Sequence, residues 1–119
     1  MLKGTNKFGF IDLLTSIGYY EKDELVGYCD LHIADENTLM ITNLKVIKKY
    51  QKQGHGTKMV AEVIQLYKEQ FAEFYPRLIL RVLHHNTPAL KVYLKNGFEI
   101  YNVEEPYGDE YVLRMELRK

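Results

Sequence analysis

The feature that most limits how this chain can fold is a change of hydrophobic period at a pair of glycines. Before Gly54, apolar residues fall in short runs broken by polar clusters. After Gly56, Val60, Val63, Ile64, Tyr67, Phe71 and Phe74 recur at steps of three and four, with Lys58, Glu62, Gln65, Lys68 and Glu73 between them. A one-faced helix of about five turns has this period, and Pro76 closes it. The run "RLILRVL" at 77–83 is nearly continuously apolar, as expected of a strand buried on both faces.

Upstream, the sequence divides into strands near 17–21, 25–33 and 38–46, with hairpin-length breaks at "EKDE" and "ADENT". Strands joined so tightly are antiparallel neighbours. The opening "KFGFIDLL" reads as one further strand in front. Downstream, Thr87 reads as an N-cap with Pro88 at the first helical position, and Gly97 as the cap of a helix over 88–96. "FEIYNVEE" and "DEYVLRMELRK" are two strands around a turn at "PYGD", the second alternating Tyr111, Leu113, Met115 and Leu117 with Val112, Arg114 and Glu116. The expected class is α/β (α+β), a mixed, mostly antiparallel sheet with helices on both faces, in the order (β)-β-β-β-α-β-α-β-β. No repeat or low-complexity linker divides it, so 1–119 read as one domain.

Composition removes several functions. Lysine plus arginine equals aspartate plus glutamate at 16 each, a formal net charge of zero without the basic footprint of a nucleic-acid-binding domain. No run approaches the length of a membrane span, and "MLKGTNKFGF" lacks the apolar core of a signal peptide. Cys29 is the only cysteine, so no intramolecular disulfide forms and a reducing, cytoplasmic setting is expected. The histidines lack a third partner at metal-ligand spacing, and no metal is expected.

The stretch "YQKQGHGTKM" can do chemistry. A helix N-terminus presents unsatisfied N–H donors and partial positive charge. Gly54 and Gly56 let an anion approach the backbone, Thr57 adds a hydroxyl, and Lys48, Lys49, Lys52 and Lys58 add charge. It matches neither the NTPase phosphate loop nor the dinucleotide fingerprint. About thirty residues later stands "NTPALKVYLKNGFE".

Together the two stretches resemble the GNAT superfamily of N-acetyltransferases. Gln51, Gly54 and Gly56 match its Gln/Arg-x-x-Gly-x-Gly/Ala loop. Asn86, Ala89, Tyr93, Gly97 and Phe98 match its Asn-x-x-Ala-x-x-x-Tyr-x-x-x-Gly-Phe helix, and "TLMITNLKVIKKY" is similar to its fourth strand. The resemblance implies an acetyl-CoA-dependent acetyltransferase acting on an amine by direct transfer in a ternary complex. It implies pantetheine along the backbone of Leu44 and Val46, and pyrophosphate on the N–H groups of Gln53, Gly54, His55, Gly56 and Thr57 beside Gln51. Asn86 would bond the pantetheine or a nearby amide. Tyr93 would be the catalytic acid that protonates the departing thiolate, against its reading as a core tyrosine. A backbone N–H at a strand bulge near Val46 would polarise the thioester carbonyl.

Two departures from the family pattern are visible. Where the ribosomal-protein alanine acetyltransferase subgroup carries a glutamate base, this chain has Arg81, leaving water, His84, Asp35 or Glu36 as alternatives. The residues before the first hairpin are too few for the family's first strand and two helices, which motivates an open acceptor site, a homodimer that completes the wall, or a shortened member. A non-catalytic acyl-CoA-binding sensor or assembly domain stands as the alternative function.

Overall fold

The computed structural model describes residues 12–104 and 110–118. The elements run β1 (Asp12–Glu21), β2 (Glu24–Asp35), β3 (Thr38–Val46), a 3-10 turn (Lys48–Tyr50), α1 (His55–Gln70), β4 (Arg77–Leu83), α2 (Thr87–Lys95), β5 (Phe98–Val103) and β6 (Val112–Leu117). They form a six-stranded sheet in the order β1-β2-β3-β4-β6-β5. Among the described strands only the β3–β4 pair is parallel, because α1 carries the chain from the end of one strand back to the start of the next.

The apolar residues at helical spacing explain the core. Met59, Val60, Val63, Ile64 and Tyr67 of α1 are buried against Cys29, Leu31, Leu39, Ile41, Leu78, Leu80 and Val82 of the sheet. Tyr93 of α2 joins the same cluster beside Phe98 and Met115. Each large apolar side chain removed from water contributes about 1.5–3 kcal/mol. Gly27 sets how near α1 comes to β2: a Cβ there would stand 2.7 Å from Met59 Sδ and 2.8 Å from the Lys45 carbonyl oxygen.

The mixed, mostly antiparallel sheet and the order of elements are as expected, with four local differences. The strand read in "KFGFIDLL" and that at 17–21 are one strand from Asp12 onward, kinked by a bulge between Leu13 and Thr15; its earlier residues lie outside those described. The helix stops at Gln70, where Tyr67 Oη donates to the Tyr75 carbonyl at 2.6 Å and fastens the following turn. Phe74 is therefore 67% exposed rather than on the buried face. The N-cap of α2 is Asn86, whose Oδ1 accepts from the Ala89 N–H at 3.3 Å, and not Thr87. Gly97 follows α2 with φ +91°, as a C-terminal cap requires. The turn at "PYGD" lies outside the described residues.

Helical cover on both faces is met on one. Both helices pack into the same cluster, and the opposite face carries paired charges among the described residues. Arg77 pairs with Glu116 at 2.7 Å, and Glu104 receives both Arg81 at 2.6 Å and Arg114 at 2.9 Å.

Candidate active site

The parallel strands pair only at one end. Cα partners run from Thr38–Arg77 to Ile41–Leu80; beyond that β3 continues to Val46 and β4 to Leu83 without pairing. The cause is a bulge in β3. Tyr28 opposes Lys45 and Asp30 opposes Thr42, so one β2 residue faces two of β3, Asn43 and Leu44. Asn43 has φ 54°, a left-handed conformation that asparagine tolerates and a β-branched residue does not. The bulge shifts the alternation: Leu39 and Ile41 enter the core before it, Leu44 and Val46 pack against the core after it. It lies at Asn43–Leu44, earlier than the position near Val46 read from sequence.

The glycine loop closes the open end of this gap. Gln51 Nε2 donates to the Val46 carbonyl at 2.8 Å, tying the loop to β3. The two glycines have different reasons. Gly54, at φ 84°, occupies a conformation other residues avoid. Gly56 has no positive φ, and a Cβ on it would stand 3.7 Å from Val92 Cγ2 and 3.8 Å from Val46 Cγ2, so its missing side chain leaves space between the two valines. Among the described residues, the N–H groups of 53–57 meet no backbone acceptor. Six expected residues, Leu44, Val46, Gln51, Gly56, Asn86 and Tyr93, line one cleft of about 370 Å³. Lys52 also lines it, at φ 64°.

The side chains of the other four expected residues do not line the cleft. Gln53 Nε2 donates to the Lys49 carbonyl at 3.0 Å, and Gly54 has no side chain. The His55 ring turns toward Tyr50 and Tyr19, with Nδ1 3.8 Å from Glu21. The Thr57 carbonyl accepts from Asn96 Nδ2 at 3.3 Å. What these four residues offer beside the cleft is their backbone N–H groups.

Tyr93 is 8% exposed as a whole; its hydroxyl is not among the fully buried unpartnered atoms and has no hydrogen-bond partner among the described residues, so it opens onto the cleft it lines. It lines both the cleft of about 370 Å³ and the smaller slot of about 260 Å³ between the separated ends of β3 and β4. Burial, and secondarily the neighbouring Cys29, push its pKa above the ordinary phenol value, so it stays protonated. Cys29 itself is pushed up to about 12 by burial and by Asp30, which leaves it a thiol and no nucleophile.

Of the alternatives for a base, His84 Nδ1 accepts from the Tyr111 N–H at 3.0 Å, which occupies the lone pair a base needs. Asp35 ends β2 and Glu36 follows it in the turn, at the closed end of the parallel pair. Arg81 lines the slot, but its guanidinium reaches Glu104 through two hydrogen bonds at 2.6 and 2.8 Å. Arg81, and after it Arg114, hold the Glu104 carboxyl below its usual range, a poor proton acceptor. Asp30 went unnoticed in the sequence; it lies beside the bulge.

The profile of the acetyltransferase (GNAT) family matches residues 6–98, and the chain belongs to that family. It is 30% identical over 115 residues to "Probable N-acetyltransferase san" of Drosophila melanogaster, covering 89% of this chain and 61% of that protein. It is 29% identical over 93 residues to "N-alpha-acetyltransferase 50" of Danio rerio, covering 73% of this chain and 54% of that one. The chain thus spans little more than half the length of these relatives. A GNAT acetyltransferase of Elizabethkingia anophelis, crystallised with acetyl-CoA, shares the fold with a TM-score of 0.72 at 22% identity, over 94% of this chain and 78% of its own.

Proposed function

We propose that the protein transfers an acetyl group from acetyl-CoA to a primary amine by direct attack in a ternary complex. The observation that carries this is the unpartnered hydroxyl of Tyr93 at the junction of cleft and slot. The hydroxyl is not among the buried unpartnered atoms and meets no acceptor or donor of the described residues, so it opens onto the cleft, where a substrate atom can reach it.

The free N–H groups of 53–57 and Lys52 receive the pyrophosphate. The unpaired edge of β3 at Leu44 and Val46 takes the pantetheine amides as an added strand would. Asn86 spends its Oδ1 on the helix cap, so its Nδ2 is what remains for the coenzyme. At the reacting carbon, the amine nitrogen forms the new C–N bond as the C–S bond breaks. Tyr93 gives its proton to the departing sulfur, a step worth about 10²-fold or more, and solvent takes the proton lost by the ammonium. A backbone N–H of the Asn43–Leu44 bulge polarises the thioester carbonyl.

Release of coenzyme A thiol from acetyl-CoA across a panel of primary amines tests the reading. Amine-dependent release that Tyr93→Phe depresses supports it. Coenzyme binding without release on any amine supports instead an acyl-CoA sensor or assembly domain, a reading favoured by Arg81 at the position where the ribosomal-protein alanine acetyltransferase subgroup carries its glutamate.

A further inference from the structure

We propose that the hollow beside the β3 bulge seats the acceptor's ammonium group, with Asp30 as the carboxylate that holds it; this rests on the acyl-transfer reading above. The hollow measures about 660 Å³, and its described lining includes Ser16, Tyr28, Asp30, Asn43, Leu44 and Lys45. The Asp30 carboxylate is fixed from two strands: Ser16 Oγ donates to Oδ1 at 2.7 Å and Asn43 Nδ2 donates to Oδ2 at 2.9 Å. Two donors leave lone pairs over on both oxygens, and no cationic side chain pairs with Asp30 among the described residues. A carboxylate so held is preorganised for a cation.

The position fits the chemistry. Asn43 holds Asp30 and, by its left-handed φ of 54°, creates the bulge. Asn43 and Leu44 line both the hollow and the slot between β3 and β4. An ammonium on Asp30 therefore stands on one side of the bulge and the slot on the other. The Tyr28 ring, 40% exposed, offers a π face to the same cation. Lys45 is the opposing charge in the hollow, but it also lines the coenzyme cleft, where the phosphates of a bound coenzyme attract it.

The test is a titration of the ¹⁵N-labelled protein with butylammonium chloride, in the presence of coenzyme A, followed by amide chemical shifts. Saturable shifts at Ser16, Tyr28, Asp30 and Asn43, weakened at least about tenfold in Asp30→Asn, are expected. Shifts scattered over other surface carboxylates, or a titration unchanged by Asp30→Asn, overturn the assignment. If the variant does not fold, the wild-type shift map decides alone. Coenzyme binding is read separately from the amides of 53–57. If it fails, the acyl-transfer reading fails, and the same titration without coenzyme still decides whether the hollow holds an ammonium.

Discussion

Gly56 faces Val46 across a space that one methyl group would close: a Cβ on Gly56 would stand 3.8 Å from Val46 Cγ2 and 3.7 Å from Val92 Cγ2. Both are ordinary contacts, and Gly56 lies in the first turn of α1 without a positive φ. Folding alone therefore gives no reason for glycine, and alanine in a helix is preferred by about 1 kcal/mol. Gly56→Ala is expected to unfold at equal or higher denaturant while its affinity for acetyl-CoA falls by about tenfold or more. A chemical melt and a calorimetric titration of the same preparation check the two halves.

Tyr93→Phe separates a reacting hydroxyl from a packed one. Because that hydroxyl has no partner among the described residues, its removal is expected to shift stability by less than about 1 kcal/mol. Affinity for acetyl-CoA should be nearly unchanged, and amine-dependent thiol release should drop about 10²-fold. A loss of stability with unchanged turnover would return Tyr93 to the core.

Gly27→Ala tests the seating of α1 on the sheet. The added Cβ would meet the Lys45 carbonyl oxygen at 2.8 Å, a backbone atom that cannot swing aside as Met59 can. A cost of about 1–3 kcal/mol is expected, measured as a lower midpoint in urea. Because Lys45 lies on the strand edge of the cleft proposed for the coenzyme, coenzyme affinity should fall with it.

The Arg81–Glu104–Arg114 group predicts a pH dependence. Glu104 titrates lower in the folded protein than unfolded, through Arg81 first and Arg114 second. Its contribution is thus fully present above the unfolded carboxylate pKa and is lost as pH falls through the lowered, folded one. Glu104→Gln should cost about 1 kcal/mol at neutral pH, since both arginines are substantially exposed. The gap between variant and wild type should narrow as pH falls below the ordinary carboxylate range, as urea melts at neutral and acid pH will show.

Much of the architecture was legible because it is written in local periods. The three- and four-residue steps through α1, the alternation in β6 and the glycines at 54, 56 and 97 each act within a few residues of themselves. What was not legible depends on partners far along the chain. Nothing near Asp30 marks it; its setting comes from Ser16 and Asn43 on the neighbouring strands. Asn43 did carry a signal, a polar residue suited to left-handed φ inside an apolar strand, that points to the bulge. Which of Asn86 and Thr87 caps α2 turns on one hydrogen bond at 3.3 Å. The face on which a helix lands is set by the crossover and not by its own pattern, so the shared face of α1 and α2 was beyond the sequence.

The most direct measurement is calorimetric titration of acetyl-CoA into the wild-type protein beside the Gly56→Trp variant. The account predicts one-to-one binding by the wild type and none by a folded variant, because an indole at Gly56 fills the space between Val46 and Val92. Equal binding by both, or none by a folded wild type, contradicts the placement of the coenzyme in this cleft.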